Sequence, residues 1–167
     1  MKSLNEREIR IVTFKDALSI AEVHVQCWKQ TYTGMLKQEI LDELKVLDKE
    51  LLWKEITQRP DHKLFIYTEN GMVKGFLAGY LNPENNIAEI LAFYLLEEIQ
   101  RQGIGRELFQ KFYHCALNQD YAFIRLDVFN KNPSRFFYEK MGVKIMGETE
   151  LSEFGFEITE LLYQWEL

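Results

Sequence analysis

The stretch "IAEILAFYLLEEIQRQGIGRELF", residues 87–109, decides the fold of this chain. It opens with a nearly continuous apolar run over Ile87–Leu96, which is typical of a strand buried on both faces. A glycine-containing loop, "QRQGIGR" at residues 100–106, then leads into a segment with apolar residues at helical spacing. The next strand, "FIRLDVF" at residues 123–129, follows that helix. Because a helix carries the chain back between the two strands, the pattern predicts that they pair in parallel.

The sequence outside this unit predicts the rest of a single α/β domain spanning residues 1–167. Further strands are predicted at residues 8–14, 63–69, 73–81, 143–151 and 156–165. Further helices are predicted at residues 16–29, with Asp16 as the cap, at 40–56 and at 133–142. Asn70-Gly71 indicates a hairpin. We therefore expect a mixed, mostly antiparallel sheet of about seven strands, with a central parallel pair and about four flanking helices.

The composition is that of a folded domain. The 167 residues carry a net charge of −6 and 47% of them are hydrophobic, which suits one domain with a sizeable core. An acidic surface disfavours general binding to nucleic acid or anionic membranes, and no run approaches the roughly 18 apolar residues of a membrane span. The segment "MKSLNEREIR" lacks the apolar core of a signal peptide, and Cys27 and Cys115 have no metal-ligand spacing. We expect a cytoplasmic protein with reduced cysteines and no bound metal.

The "QRQGIGR" loop has the features of an anion-binding site. It precedes a helix, whose first N–H groups lack internal partners and whose dipole favours negative charge. Gly103 and Gly105 allow an oxyanion to approach closely, while Arg101 and Arg106 supply positive charge. A dinucleotide loop would need glycine where Leu108 stands, and a triphosphate loop would need Gly-Lys followed by Ser or Thr. From the loop alone, a plain helix entry with solvated arginines remains an open alternative.

Two motifs together resemble the GNAT superfamily of acetyl-CoA-dependent N-acetyltransferases. Residues 100–105, "QRQGIG", match the superfamily's Gln/Arg-x-x-Gly-x-Gly/Ala in full, and "NPSRFFYEKMGV", residues 132–143, is similar to its Asn…Phe-Tyr-Glu-Lys-x-Gly segment. Residues 23–36, "VHVQCWKQTYTGML", and residues 159–165, "TELLYQW", resemble one bacterial branch. The resemblance spans almost the whole chain and implies a GNAT-like fold with acetyltransferase activity.

The resemblance implies a site for acetyl-CoA as co-substrate. The loop would hold the pyrophosphate of coenzyme A, and the end of the preceding strand would pair through its main chain with the pantetheine arm. The residues implied are Gln100, Arg101, Gln102, Gly103, Ile104, Gly105 and Arg106 in the loop, and Phe93, Tyr94 and Leu95 in the strand. Asn132 is a further implied cofactor contact, with Asn130 in reserve because Asn132 lies one residue nearer to Tyr138 than is common. Glu97 also departs from the pattern, since many members have proline there.

Two residues are implied as catalytic. Tyr138 matches the tyrosine that often protonates the departing thiolate and also contacts the cofactor, and a phenol with a pKa of about 10 carries a proton at neutral pH. Glu89 is the only ionisable residue of "AEILAF", residues 88–93, in the strand where members often place a base that works through water. The structural alternatives are a tyrosine packed beside Phe136 and Phe137 and a glutamate at a strand edge.

Trp28 and Tyr32 are implied to line the acceptor pocket, although such aromatic residues are also common in cores. The expected acceptor is a primary amine of a small molecule or peptide, which attacks the thioester directly in a ternary complex. The alternative is a non-catalytic acyl-CoA-binding or sensing module on the same fold, while Leu108 disfavours a dinucleotide-binding protein. Edge strands near the C-terminus could pair between two copies of the chain, so a homodimer is possible.

Overall fold

The computed structural model describes residues 5–167. Across them the chain forms seven strands, five α-helices and two short 3-10 helices, at Phe14–Asp16 and Glu97–Ile99. The strands are β1 Arg7–Ile11, β2 His62–Glu69, β3 Met72–Leu81, β4 Ile87–Leu95, β5 Phe123–Phe129, β6 Lys144–Glu150 and β7 Thr159–Glu166. The helices are α1 Ala17–Tyr32, α2 Gln38–Asp42, α3 Val46–Ile56, α4 Ile104–Asn118 and α5 Arg135–Lys140. The predicted α/β fold is confirmed, and the predicted helix at 40–56 is divided into α2 and α3.

The seven strands form one sheet in the order β1-β2-β3-β4-β5-β7-β6. Every neighbouring pair is antiparallel except β4 and β5, which pair in parallel as predicted. This parallel ladder ends at Glu89, which lies opposite Arg125. A register shift between β3 and β4 also leaves Leu91 without a partner, because Ala92 pairs with Ala78 and Ile90 with Gly79. A bulge increases local twist, so β4 separates from β5 just beyond Glu89.

The prediction that β4 is buried on both faces holds only in part. Its buried residues alternate with accessible ones: Ala88, Ile90 and Ala92 are buried, whereas Leu91 is 46% exposed. The apolar run was nearly continuous, so period-two alternation was hidden in the sequence. Tyr94 and Phe93 pack against helices on opposite faces of the sheet, so β4 is covered on both faces except around Leu91, which faces an open cleft.

Helices cover the sheet on both faces. On one face, the ring of His24 in α1 stacks on that of Tyr94 at 4.9 Å between centroids. On the other face, Phe112 of α4 lies so close to Gly79 that any side chain there would clash with its ring. Tyr138 of α5 packs against Trp165 of β7 on this second face, with 5.9 Å between ring centroids. Within residues 5–167, no helix is both long and apolar enough to cross a membrane.

Local sequence signals had mixed outcomes. The Asn70-Gly71 hairpin is confirmed, since both residues have positive φ angles, 50° and 79°. Asp16 occupies the N-cap position of α1 as predicted, but its carboxylate makes no capping hydrogen bond to that helix. Instead it accepts hydrogen bonds from the Thr13 amide and from Arg10, both at 2.8 Å. The Arg10 guanidinium, helped by Thr13, lowers the pKa of Asp16 to about 2.

Candidate active site

A cleft of about 570 Å³ opens where β4 and β5 separate. Seven of the residues implicated from the sequence line it: Trp28, Tyr32, Glu89, Phe93, Tyr94, Asn132 and Tyr138. They come from α1, β4 and the turn and helix after β5, so the topology gathers positions far apart in the chain. Leu95 and the loop at residues 100–106 lie outside this lining, at the end of β4 that leads into α4.

The β4 wall of the cleft offers main-chain groups. Residues 93–95 pair with β3 on one side, but the ladder with β5 has already ended at Glu89. The amide and carbonyl groups that point toward β5 are therefore free of strand pairing along this stretch. The carbonyl of Leu95 accepts a hydrogen bond from the Gln100 side chain at 2.9 Å, which ties the end of β4 to the following loop.

The loop before α4 is shaped by two residues in the left-handed region. Arg101 has φ 61° and Gly103 has φ 82°. The first hydrogen bond of the helix is donated by the Glu107 amide to the Gly103 carbonyl at 3.2 Å, so the amides of residues 103–106 precede the helical ladder. Four adjacent amides at a helix N-terminus suit a phosphate group.

The side chains of this loop divide into supporting and solvent-facing groups. Gln102 donates to the Glu98 carbonyl at 3.1 Å, and Ile104 is buried. A Cβ at Gly105 would lie 3.3 Å from both Leu95 and Phe137, so glycine allows the helix to start close to β4. Arg101 and Arg106 are exposed. The loop can therefore present its amides and its two cations to an anion while its other side chains hold it in place.

The Tyr138 side chain is only 5% exposed, yet it lines the cleft. Its ring lies 6.1 Å from that of Phe93, measured between centroids. Among residues 5–167, the hydroxyls of Tyr32, Tyr94 and Tyr163 all meet hydrogen-bond partners, whereas that of Tyr138 meets none. Burial raises the pKa of Tyr138 well above its ordinary value. The phenol is thus a protonated donor inside the cleft with its hydrogen-bonding capacity unused.

Glu89 stands at the point where β4 and β5 part. It is half-buried, pairs in register with Tyr80 of β3 and Arg125 of β5, and lines the cleft. No direct hydrogen bond joins it to Tyr138 among the described residues. The two groups therefore share the cleft as separate polar sites, one on the strand and one on α5.

Hydrogen-bonded aromatic residues form the rim. The indole N–H of Trp28 donates to the Tyr94 hydroxyl at 2.9 Å, and the Asn132 side-chain amide donates to the Tyr32 hydroxyl at 2.8 Å. Asn132 also accepts a hydrogen bond from the Ser134 amide at 2.9 Å. These bonds fix the end of α1 against β4 and against the start of α5.

The floor of the cleft contains residues that the sequence reasoning missed. Asp127 of β5 and Glu160 of β7 both line it. Loss of hydration raises the pKa of both carboxyl groups, and the charge of Asp127 contributes to the shift of Glu160. The available signal is the alternation of Arg125 and Asp127 with apolar residues in "FIRLDVF", which predicts a strand with one polar face but no role for Asp127.

Known proteins resemble this chain in sequence and in fold. The family model for the acetyltransferase (GNAT) family matches residues 23–143. This chain belongs to the GNAT family. Its sequence is 31% identical over 161 residues to the N-acetyltransferase YuaI of Bacillus subtilis, covering 94% of this chain and 91% of that protein. It is 30% identical over 155 residues to a spermidine N(1)-acetyltransferase of Thermoplasma acidophilum, covering 90% and 95%.

A solved structure shares the fold over nearly the full length. The PaiA N-acetyltransferase of Thermoplasma acidophilum, determined in complex with coenzyme A, superposes with a TM-score of 0.81 at 25% identity. The match covers 97% of this GNAT protein and 99% of PaiA. The free amides at the α4 N-terminus and the unpaired edge of β4 fit such a ligand, since they offer donors for a pyrophosphate and main-chain partners for an extended amide arm.

Proposed function

We propose that this GNAT protein transfers an acetyl group from acetyl-CoA to a primary amine of a small molecule or peptide. The observation that carries the proposal is the cleft itself. It exposes the unpaired edge of β4, and it contains a buried, unpartnered phenol and a separate carboxylate in one space. When bound, acetyl-CoA supplies a thioester carbon that an amine can attack directly, with the thiol as leaving group.

The cofactor would be held by main-chain groups on both sides of the α4 N-terminus. The amides of residues 103–106 bind the pyrophosphate, with Arg101 adding positive charge at the exposed edge of the loop. Residues 93–95 pair with the pantetheine arm, in the manner of an added strand. Asn132 lies at the cleft next to α5, where its side chain already bonds Tyr32, so we assign it to the support of the rim as well as to cofactor contact.

The protein's chemical contribution is orientation and proton handling. Glu89 accepts the proton that the ammonium must lose, directly or through one water. The Tyr138 hydroxyl donates a proton to the departing sulfur, whose thiol pKa is ordinarily about 8.5. The raised pKa of Tyr138 keeps the phenol protonated at neutral pH, so its O–H can donate to the sulfur as negative charge develops there.

The cysteines favour direct attack over an acetylated enzyme. Cys27 is buried in the core, and burial raises the pKa of its thiol to about 12, so it carries almost no thiolate at neutral pH. Cys115 lies on α4, outside the residues that line the cleft. Cys27 is therefore not ionised, and Cys115 is not placed in the cleft, to act as a nucleophile toward the thioester.

The name of one relative supports a choice of first acceptors to test. Since the Thermoplasma acidophilum protein at 30% identity is named for spermidine, polyamines are the first acceptors to test on this chain. The test is release of free thiol from acetyl-CoA in the presence of polyamines, amino sugars, amino acids and peptide N-termini. Isothermal titration of acetyl-CoA into the folded protein is the companion measurement.

The two measurements separate the proposal from its alternative. Tight acetyl-CoA binding with thiol release that depends on an amine supports the transferase. Binding without thiol release for any amine would instead favour an acyl-CoA-binding module. Absence of acetyl-CoA binding would overturn both.

A further inference from the structure

We propose that Asp127 and Glu160 bind a second ammonium group of the acceptor, so that the enzyme selects linear diamines and polyamines over monoamines. This inference rests on the proposed transferase function. It goes further by naming the residues that choose among amines. Neither carboxylate belongs to the cofactor loop or to the proton-handling pair, and each lies on a different strand.

Strand register places the two carboxylates together. Asp127 pairs with Leu162, and Phe129 pairs with Glu160, so Asp127 and Glu160 are diagonal neighbours across the β5–β7 ladder. Diagonal neighbours on one face lie roughly 7 Å apart or less at Cβ, which is within reach of one ammonium group. The influence of the Asp127 charge on Glu160 is consistent with this proximity.

The same register fixes which face they occupy. Paired and alternate residues of an antiparallel ladder project from the same side of the sheet. Phe129 therefore shares the face of Asp127 and Glu160, and its ring packs on that of Tyr32 at 5.4 Å between centroids. The carboxylates thus lie on the floor in front of the Trp28–Tyr32 rim, on the side from which an acceptor would approach.

These carboxylates lack protein partners. Among residues 5–167, none of the salt bridges involves Asp127 or Glu160. The nearest cation along β5 is Arg125, and its Nε already donates to the Gln164 side chain at 2.6 Å. Asp127 is exposed and Glu160 is half-buried, so both charges are accessible to a cationic ligand that enters the cleft.

A second, independent observation also points to a ligand in this cleft. The Tyr138 side chain comes from α5 on the opposite face of the sheet and is only 5% exposed, it lines the cleft, and its hydroxyl has no hydrogen-bond partner among the described residues. The space between β4 and β5 therefore offers an unused hydrogen-bonding group to a ligand in addition to the two carboxylates. Along the strands, Asp127 and Glu160 lie beyond Arg125, toward the carboxyl ends of β4 and β5, and on the α1 face of the sheet.

The spacing suits a short aliphatic linker. Glu89 lies opposite Arg125, and Asp127 is two residues farther along β5, so their rows are separated by about 7 Å at a rise of about 3.3 Å per residue. A diamine with a short methylene spacer can place one nitrogen near Glu89 for attack and the other between Asp127 and Glu160.

The test compares putrescine with butylamine, which has the same carbon chain but one amine. We expect the unmodified enzyme to show at least a tenfold higher kcat/KM for putrescine, since a charge-assisted hydrogen bond contributes about that factor. Asp127→Asn and Glu160→Gln should each raise the KM for putrescine about tenfold and leave butylamine nearly unchanged. Glu166→Gln, an exposed acid on β7 beyond the cleft, is the matched control and should change neither acceptor.

The outcomes are distinct. Equal use of putrescine and butylamine by the unmodified enzyme, which needs no variant, would overturn the subsite while leaving the transferase intact. So would unchanged discrimination in the two variants. If no amine releases thiol, the transferase proposal fails, and titration of spermidine into the protein saturated with coenzyme A decides the subsite alone. Equal spermidine affinity in the unmodified protein and the Asp127→Asn, Glu160→Gln double variant would refute it, and weaker binding by the variant would support it.

Discussion

The two sides of the cleft, the β4 wall and the β5–β7 floor, present different chemical groups to a ligand. The β4 wall, with the loop that follows it, offers main-chain amides and carbonyls freed by the divergence from β5 and by the start of α4. The β5–β7 floor offers side chains, above all the carboxylates of Asp127 and Glu160. Main-chain groups are the same in every sequence with this topology, whereas side chains differ between relatives. The contrast explains how one fold can keep a common cofactor and still accept different amines.

Tyr138→Phe should have the largest effect on activity, because the Tyr138 hydroxyl acts on the sulfur of the cofactor. Loss of the proton donor should lower kcat by about 10²-fold or more for putrescine and butylamine alike. The acetyl-CoA dissociation constant should change little, because the ring and its packing against Phe93 remain. Steady-state kinetics with both amines, and isothermal titration of the cofactor, check this result.

Tyr113→Phe on α4 is the control for this prediction, since Tyr113 lies outside the cleft lining. A loss confined to putrescine would assign the Tyr138 hydroxyl to acceptor binding. That outcome would contradict the assignment of cofactor chemistry to one side of the cleft and acceptor binding to the other.

Gly103→Ala should have the next largest effect, again on the cofactor wall. Its φ of 82° is the left-handed region, although a Cβ would meet nothing within 4 Å. The strain costs about 1–2 kcal/mol. Relaxation of that strain would move the amides before α4, so we expect acetyl-CoA affinity to fall about tenfold with no change in the preference for diamines.

Gly71→Ala is the matched control for Gly103→Ala. Gly71 also has a positive φ, 79°, and open space around it, but it lies in the β2–β3 hairpin turn. Both substitutions should therefore lower the unfolding temperature similarly, and only Gly103→Ala should weaken acetyl-CoA binding. Equal acetyl-CoA affinity in the two variants would contradict the proposal that the loop amides bind the cofactor.

The same contrast explains what the sequence could predict. The loop before α4 and the segment around Tyr138 are local motifs, so their residues could be named before their positions in space were known. The parallel β4–β5 pair also followed from a local rule, because a helix joins the two strands. Asp127 and Glu160 carry no local motif and become neighbours only through the β5–β7 register.

Other features depended on tertiary context. The apolar run of β4 gave no sign that one side faces a cleft, because Leu91 is as apolar as its buried neighbours. Asp16 had the residue type of a helix cap, but Arg10 across a short turn offers its carboxylate a charged partner. Helix propensity over residues 40–56 likewise could not show the break between α2 and α3.

Removing the charge of Asp127 or Glu160 should have the smallest effect, and that effect is on the free energy of unfolding. It should raise this free energy, whereas the strain introduced by Gly103→Ala lowers it. The pKa of both Asp127 and Glu160 is raised in the folded protein, so the folded state holds these protons more tightly than the unfolded chain. Stability from these groups is therefore lost as pH rises from the unfolded values of about 4 through the raised folded values. At neutral pH both carboxylates are ionised and oppose folding, and Asp127→Asn or Glu160→Gln removes that cost.

Each substitution should accordingly raise the free energy of unfolding at neutral pH, by no more than about 0.5 kcal/mol for such accessible positions. Near pH 3, where both forms are largely protonated, the gain should vanish. Urea unfolding of the two variants and of Glu166→Gln at both pH values measures this difference. If each substitution raises the free energy of unfolding at neutral pH and also removes the preference for diamines, these two carboxylates lower stability but are needed to bind the acceptor. If the substitutions instead lower stability at neutral pH, these carboxylates stabilise the fold. The β5–β7 floor would then not be a surface reserved for the acceptor.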